Sequence, residues 1–312
     1  MKKISIFTPC YNEEENVSLL CNAVKKQMEL LPQYEYEHVF IDNCSKDNTV
    51  SLLKEIAEKD KNLKIIVNAR NFGHIRSPYY GMLQCTGDCV IFLVADLQDP
   101  PELIPQMLEK WEEGYSIVSC VKNKSRENPV MFLLRKIFYN ILARFSETEQ
   151  IKNFTGFGLY DKKFINILRN EVTDPYPYFR GLIGELGYNR SEITYTQPQR
   201  KYGKTKNNFY TLYDMAMLGF VNHSKLPLRL ASFLGFGVAI LSLLVALVYF
   251  VYKLIYWNTF SAGMAPLVIG LFFFSSVQLF FIGIIGEYIG SIHTQVKKRP
   301  YVIEKERINF EE

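Results

Sequence analysis

The segment Val94-Ala95-Asp96-Leu97-Gln98-Asp99 contains the side chains with the clearest capacity for chemistry. It follows an apolar run, so its carboxylates and amide stand at the carboxyl end of a predicted strand. Oxygen ligands of this kind suit Mg²⁺ or Mn²⁺. Such an ion would neutralise a diphosphate as that group leaves. The alternative for Asp99 is a helix cap before Pro100-Pro101-Glu102, and we predict that role for it.

Three other polar segments also follow predicted strands. Pro9-Cys-Tyr-Asn-Glu13 follows the first strand, Asp42 the second, and Asn71-Phe-Gly-His74 the third. A carboxylate such as Asp42 can accept a hydrogen bond from a nucleobase imide, and an aromatic ring can stack on the base. The alternative for Asp42 is a turn residue. His74 has no evident metal partner, so we expect it to be a polar wall residue.

The elements that must position these residues alternate regularly in the first hundred residues. Strands are predicted at 4–8, 38–42, 63–67 and 89–95, and helices at about 14–30, 47–59 and 77–84. This alternation predicts a parallel, doubly wound α/β sheet. Ligands of such sheets bind at the carboxyl ends of the strands. The polar segments are therefore expected to line one crevice.

The middle of the chain is less regular. Strands are predicted at 116–121 and 190–195, a strand or loop at 154–160, and helices at 129–145 and 161–169. A basic, flexible stretch follows, Gln197-Pro-Gln-Arg-Lys-Tyr-Gly-Lys-Thr-Lys206. Residues 209–221 then carry apolar side chains at helical spacing, which predicts a helix lying in a membrane interface. A core helix is the alternative.

Two stretches near the C-terminus, 230–252 and 265–285, contain no charged residue. Each has the roughly 20 apolar residues needed to cross a bilayer. Lys and Arg lie mainly on their outer flanks, which puts both outer ends in the cytosol. The N-terminus lacks the features of a signal peptide. We therefore expect a multi-pass protein of the inner (cytoplasmic) membrane with its catalytic domain in the cytosol; buried core helices are the alternative.

Composition narrows the class of protein. The chain has 312 residues, of which 48% are hydrophobic and 22% charged, so bulk disorder is excluded. A net charge of +4 without a basic stripe of interleaved aromatics argues against a nucleic-acid partner. The six cysteines form no CxxC pair, and we expect buried or free thiols.

Taken together, the motifs resemble those of the polyprenyl-phosphate glycosyltransferases of glycosyltransferase family 2, over nearly the whole length. This group includes dolichyl-phosphate mannose synthases and bactoprenyl-phosphate glucosyltransferases. The resemblance rests on Thr8-Pro-Cys-Tyr-Asn-Glu-Glu-Glu-Asn16, Ile41-Asp-Asn-Cys-Ser-Lys-Asp-Asn-Thr49, Arg70-Asn-Phe-Gly73, Ala95-Asp-Leu-Gln-Asp-Pro-Pro-Glu102, Tyr202-Gly-Lys-Thr-Lys206 and Val296-Lys-Lys-Arg-Pro300.

The resemblance implies a GT-A (Rossmann-like) fold, a divalent metal (Mg²⁺ or Mn²⁺) and inversion at the anomeric carbon. It implies a nucleotide-sugar donor, with UDP-glucose as our choice, and a polyprenyl (undecaprenyl) phosphate acceptor. The product would be a lipid-linked sugar for cell-envelope glycan modification, and the relatives imply a homotetramer. The implied site residues fall into three sets. Metal ligands are Asp96, also the catalytic residue, and Gln98; nucleotide contacts are Pro9, Tyr11, Asn12, Glu13, Asp42, Asn71, Gly73, Ala95 and Asp96; phosphate contacts are Arg200, Lys204 and Lys206.

Three positions depart from the family pattern. Val94 stands where an Asp-x-Asp motif has its first carboxylate, and Gly156 and Gly158 stand where a Gly-Asp-Phe-Arg-Leu motif has Asp and Arg. A phosphate monoester has a second pKa of about 6, so it can attack without a general base. A sugar hydroxyl needs proton removal. The absent base therefore favours a lipid-phosphate acceptor. The alternatives are a sugar-hydroxyl transferase or synthase, and a degenerate membrane scaffold.

These expectations divide the chain into four parts. Residues 1–205 form the cytosolic GT-A domain and 206–228 the interfacial helix and linker. Residues 229–290 form the two transmembrane helices, and 291–312 a cytosolic tail.

Overall fold

The computed structural model describes residues 1–124, 151, 153–198, 226–256, 264–297 and 299–310. Within these ranges, all strands join one sheet. They are β1 (Lys2–Cys10), β2 (Tyr34–Asp42), β3 (Leu63–Asn68), β4 (Cys89–Phe92), β5 (Ile117–Lys124), β6 (Phe154–Asp161), β7 (Arg190–Thr196) and β8 (Glu304–Ile308). The α-helices of the same ranges are α1 (Val17–Glu29), α2 (Thr49–Lys59), α3 (Gly73–Leu83), α4 (Ile104–Glu112), α5 (Lys162–Asn170), α6 (Phe179–Glu185), α7 (Leu226–Ile255) and α8 (Met264–Val296).

The strand order is β7-β5-β6-β4-β1-β2-β3-β8. The prediction of a parallel sheet is confirmed for β4, β1, β2 and β3. It is wrong for the whole sheet, because β6 pairs antiparallel with both of its neighbours and β8 pairs antiparallel with β3. The sheet is therefore mixed: only β6 and β8 run against the other six strands, whose carboxyl ends lie at one edge.

Both faces of the central strands are buried, which explains their nearly continuous apolar sequences. Ile6 of β1 and Phe40 of β2 face the side covered by α1, α2 and α4. Phe7 and Ile41, one residue further on, face the side covered by α3 and α5. All four side chains are fully buried, and each contributes about 1.5–3 kcal/mol of transfer free energy. The core thus holds the ends of β1 and β2 rigidly.

Several element boundaries differ from the predictions. β4 ends at Phe92 rather than at residue 95, and α3 begins at Gly73 rather than at residue 77. Helices α4 and α6 and strand β8 were not predicted. The predicted helices at 129–145 and 209–221 lie outside the described residues.

The two apolar stretches form long helices. Within α7, Ala231–Ile255 has a mean hydropathy of 2.6, and within α8, Ile269–Val296 has 2.1. None of the described side chains in the most apolar window of either helix is buried within the chain. That exposure differs from a core helix of a soluble protein, and the position near the C-terminus differs from a signal sequence. Both helices are long and apolar enough to cross a membrane, and they indicate membrane association.

Candidate active site

The carboxyl ends of β1 and β2 are joined directly. The backbone N–H of Asn43 donates to the carbonyl oxygen of Cys10 over 3.0 Å. The following loops are joined as well: the Asn12 N–H donates to Ser45 Oγ at 2.8 Å, and the Lys46 N–H donates to Asn12 Oδ1 at 2.8 Å. Asn12 has a left-handed φ of 52°, which asparagine tolerates well. Its side chain thus holds the first two loops of the crevice together.

Glu13 belongs to the same junction. Its N–H donates to Thr49 Oγ1 at 2.9 Å, and its carboxylate accepts a hydrogen bond from Asn16 Nδ2 at 2.7 Å. Pro9 and Tyr11 are partly exposed next to it. Of the nucleotide contacts predicted on this loop, the structure therefore gives Asn12 and Glu13 a loop-holding role. The roles of all four residues in nucleotide binding stay predictions.

Asp42 ends β2 and is fully buried. Its two carboxylate oxygens accept hydrogen bonds from the Ser45 hydroxyl and from the Ser45 N–H, the latter at 2.9 Å. Burial raises the pKa of this carboxyl above its ordinary value, although the Ser45 hydrogen bonds act in the opposite direction. Because Asp42 is fully buried, a nucleobase could reach it only after the groups around it move. This geometry is compatible with both predicted roles of Asp42, as an acceptor for a nucleobase and as a turn residue.

The third wall of the crevice is organised by a residue that the sequence reasoning missed, Asn43. Its Nδ2 donates to Asn71 Oδ1 at 3.0 Å and to the Gly73 carbonyl at 3.1 Å. Its Oδ1 accepts from the Phe72 N–H at 2.9 Å and from Asn68 Nδ2 at 3.2 Å. The only sequence signal was an asparagine next to Asp42 at a strand end. Asn71 and Gly73 therefore lie together beyond the end of β3, and their contact with a nucleotide stays a prediction.

Asp96 is held at the crevice by a tight turn. Its Oδ1 accepts a hydrogen bond from the Gln98 N–H at 3.1 Å, and Leu97 between them has a φ of 57°. A left-handed conformation at leucine costs about 1–2 kcal/mol, so the surrounding structure stabilises this turn. Asp96 is 8% exposed, and Ala95 is buried beside it. The turn directs a carboxylate to the end of the sheet.

The donor set around Asp96 fits a hard cation. Gln98, two residues further on, offers an amide oxygen, and its Nε2 donates to the Pro198 carbonyl over a long 3.5 Å. Among the described residues, no group of three or more His, Cys, Asp or Glu side chains could hold a metal ion. Magnesium sites commonly use only one or two carboxylates and complete their coordination with substrate phosphates and water. Asp96 and Gln98 could hold Mg²⁺ or Mn²⁺ in this way.

Asp99 does not cap a helix, so that prediction is wrong. The short 3₁₀ turn at Pro101–Leu103 begins without a side-chain cap. Asp99 Oδ1 instead accepts a hydrogen bond from the Tyr195 hydroxyl at 2.9 Å, and the residue is only 2% exposed. Burial raises the pKa of its carboxyl to about 6. Asp99 thus connects β7 to the segment that follows β4, which also contains Asp96.

Val94, Gly156 and Gly158, which depart from the family pattern, lie close together on neighbouring segments of the sheet. β4 pairs with β6 so that Phe92, two residues before Val94, faces Gly158, two residues after Gly156. Gly156 has a φ of +104°, which disfavours any side chain. At Gly158 an added Cβ would lie 2.3 Å from the Val118 carbonyl oxygen. This backbone therefore has no room for an arginine at 158.

A cavity of about 450 Å³ lies between α6 and the C-terminal end of α8. Its lining includes Asp174 and Glu185 from one side and Tyr288 and Gln295 from α8. Two carboxylates disfavour a phosphate group in this cavity, so we do not place the donor there. The predicted phosphate contacts Arg200, Lys204 and Lys206 lie outside the described residues.

Comparison with known proteins identifies the family. Residues 5–181 match Glycosyl transferase family 2. An uncharacterized glycosyltransferase of Synechocystis sp. is 33% identical over 299 residues, covering 96% of this chain and 93% of the relative. The SfII prophage-derived bactoprenol glucosyl transferase of Shigella flexneri is 32% identical over 305 residues, covering 97% and 98%.

Among solved structures, TarS 1–349 of S. aureus in complex with UDP-GlcNAc is similar, with 16% identity, coverage of 71% of this chain and 67% of that one, and a TM-score of 0.42. The mixed α/β sheet described above is GT-A-like, as the motifs predicted. The chain is an enzyme of the glycosyltransferase class and belongs to glycosyl transferase family 2.

Proposed function

We propose that this enzyme transfers a hexose from a nucleoside-diphosphate sugar, with UDP-glucose as the donor, to a polyprenyl phosphate at the cytosolic membrane surface, with inversion. The observation that carries the proposal is the Asp96 carboxylate, held by the Leu97 turn at the carboxyl end of the sheet in a chain with two long apolar helices. The bactoprenol glucosyl transferases that match 97–98% of the chain support a lipid acceptor.

The donor would lie across the ends of the parallel strands. Asn43 holds Asn71 and Gly73 as one wall, and Asn12 and Glu13 close the opposite side through Ser45 and Thr49. Asp96 and Gln98 would hold a divalent cation, which supplies charge neutralisation to the diphosphate as it leaves. The nucleoside contacts assigned to Pro9, Tyr11 and Asp42 are part of this proposal.

The acceptor phosphate supplies its own nucleophile. A phosphate monoester is largely dianionic near neutral pH, so the attack needs no proton acceptor from the protein. The geometry is consistent with this, because Gly156 offers no base and the Asp99 carboxylate accepts a hydrogen bond from Tyr195 in the interior. Transfer to a sugar hydroxyl would require a base within hydrogen-bonding reach of the substrate.

The membrane arrangement follows from the same proposal. α7 and α8 would span the bilayer as a hairpin, residues 206–228 would lie in the interface, and the catalytic domain would face the cytosol. The basic residues Arg200, Lys204 and Lys206 would then meet phosphates near the lipid headgroups. A homotetramer and a role in cell-envelope glycan modification remain predictions.

The test is a transfer assay with the full chain in detergent micelles. Labelled UDP-glucose, UDP-N-acetylglucosamine or GDP-mannose is supplied with Mn²⁺ and undecaprenyl phosphate. We expect a chloroform-soluble labelled product with UDP-glucose, and loss of that product on adding EDTA. No lipid-linked product from any of these donors would contradict the proposal. A labelled polymer or free glycan would instead establish a hydroxyl acceptor.

A further inference from the structure

The chain returns to the catalytic sheet after its second long helix. β8 pairs antiparallel with β3, with Val67 facing Glu306 and Asn68 facing Glu304. One residue earlier in the tail, the carbonyl oxygen of Ile303 accepts a hydrogen bond from the Ala69 N–H at 2.9 Å. Ala69 is the first residue of the loop that leads to Asn71 and Gly73. The C-terminal segment therefore holds the start of a crevice wall.

The same segment also holds the helix at the other end of that loop. Arg307 donates from a terminal guanidinium nitrogen to Gln84 Oε1 at 2.7 Å and to the Tyr80 hydroxyl at 3.4 Å. The Tyr301 ring lies 5.3 Å from the ring of Tyr79, centroid to centroid. Tyr80 and Tyr79 belong to α3, which begins at Gly73. The tail thus contacts both elements that flank the loop at 69–72.

Asn43 holds the loop from inside the crevice, and the tail adds contacts at Ala69 and along α3. Covering the exposed edge of β3 requires only strand pairing. The contacts of Tyr301 and Arg307 with α3 are not required to cover this edge. Six residues separate Val296, the last residue of α8, from Ile303, so Ile303 lies within about 25 Å of the helix end.

We propose that the C-terminal segment 301–308 is a positioning element of the donor site: it holds the loop at 69–73 against Asn43, so that nucleotide affinity depends on the segment that returns from the membrane helix. This inference rests on the proposed function, because it takes the crevice as the nucleotide site. Tyr301 and Arg307 act through α3 and the loop, and they do not touch the nucleotide. The site would be incomplete without this return of the chain.

The test compares two sets of tail contacts in the full-length protein. Tyr301→Ala combined with Arg307→Met removes the contacts with α3. Asn309→Ala is the matched control, since Asn309 Nδ2 donates to the carbonyl oxygens of Ala57 and Leu63, away from the loop. The dissociation constant of UDP with Mn²⁺ is measured by calorimetry. If the loop is correctly placed only about a tenth of the time in the double variant, the constant rises about tenfold.

Hydrogen exchange supplies a second readout. In the double variant, the Ala69 amide should exchange faster while the amides of the central strand β2 keep their protection. An unchanged dissociation constant, or an equal rise in the Asn309→Ala control, would overturn the positioning role. If neither UDP nor GDP binds the unaltered protein, the proposed function fails first, and this inference fails with it. Binding by the unaltered protein with no effect of the double variant refutes the inference alone.

Discussion

The hydroxyl of Tyr195 on β7 donates to Asp99 Oδ1 at 2.9 Å, across 96 residues of sequence. This bond connects the segment that contains Asp96 to β7, which lies at one edge of the sheet. Asp99 is nearly fully buried, so its carboxylate relies on donors from the protein, of which the Tyr195 hydroxyl is one. The segment with the candidate metal ligands is therefore supported by a contact that no local pattern indicates.

Tyr195→Phe should lower the free energy of unfolding by about 1–3 kcal/mol, because it leaves a buried carboxylate without its hydroxyl donor. Thermal unfolding of both proteins in the same detergent measures the loss. Asp99→Asn keeps an oxygen that can accept the bond, so we expect a smaller change. Equal stability of Tyr195→Phe and the unaltered protein would show that the bond contributes nothing.

Asp96→Ala should abolish sugar transfer, with a loss in kcat of at least about 100-fold, since it removes the carboxylate predicted to hold the metal. Its unfolding temperature should fall less than that of Asp99→Ala, because Asp96 is more exposed than Asp99 and accepts a backbone hydrogen bond from Gln98 within its own turn. Asp99→Ala is the comparison, and it should act mainly on stability. Near-normal transfer by Asp96→Ala would refute the assigned role.

Glu37 supplies the clearest acid-sensitive contact. It is 1% exposed, and its Oε2 lies 2.8 Å from both Lys3 Nζ and Lys64 Nζ. Burial alone would raise the pKa of this carboxyl, but hydrogen bonds from Lys3, Lys64, Ser5 and Thr86 outweigh it and lower the pKa to about 2.

Because the folded pKa of Glu37 lies below the unfolded value of 4.5, its contribution is present above pH 4.5 and is lost as the pH falls towards 2. Glu37→Gln should cost about 3–5 kcal/mol at pH 7 by leaving two lysines without their partner. Glu113→Gln, in the exposed pair with Lys110, is the control and should cost less than about 1 kcal/mol. Chemical denaturation of both variants at pH 7 measures the two losses of unfolding free energy, and equal losses would contradict the role of Glu37.

The buried His38 should make the free energy of unfolding fall at a higher pH than Glu37 does. It is buried, with Nε2 hydrogen-bonded to Thr8 Oγ1 at 3.0 Å, and burial lowers the pKa of its imidazole from 6.5 to about 3. The unfolded chain binds this proton at higher pH than the folded protein. Its contribution is therefore complete above pH 6.5 and declines below it, by at most about 1.4 kcal/mol per pH unit. In His38→Gln the decline between pH 6.5 and 5 should be shallower, and an identical slope would contradict this assignment.

Gly158→Ala should destabilise the sheet by about 1–3 kcal/mol, because the new methyl group would overlap the backbone of Val118 and push β5 from β6. Gly114→Ala is a useful comparison. Gly114 has a φ of +98° with open space around its missing Cβ, so only backbone strain is added there. Urea unfolding of the two variants separates steric overlap from strain, and a larger loss for Gly114→Ala would show that strain dominates.

The positions of several candidate site residues could be predicted from the sequence. Apolar runs closed by polar segments located the ends of β1, β2 and β3 to within two residues, although β4 ends three residues earlier than predicted. The parallel order of these strands brought Asp42, Asn71 and Asp96 to one edge. The two long apolar stretches predicted α7 and α8 by length and composition. These features are encoded within short windows of residues, which is why local patterns sufficed.

The tertiary structure decided the contacts between distant segments. β8 has the sequence Glu-Lys-Glu-Arg-Ile with no apolar run, and it forms a strand only because the edge of β3 supplies hydrogen-bonding partners. Asn43 and Asp99 likewise acquired their roles from Asn71 and Tyr195, which lie far away in the sequence. A side chain's type limits which bonds it can form, but the partner is chosen by packing across the whole sheet. For this reason, the sequence alone determined which residues could act on a nucleotide sugar, and the fold determined which residues hold them in place.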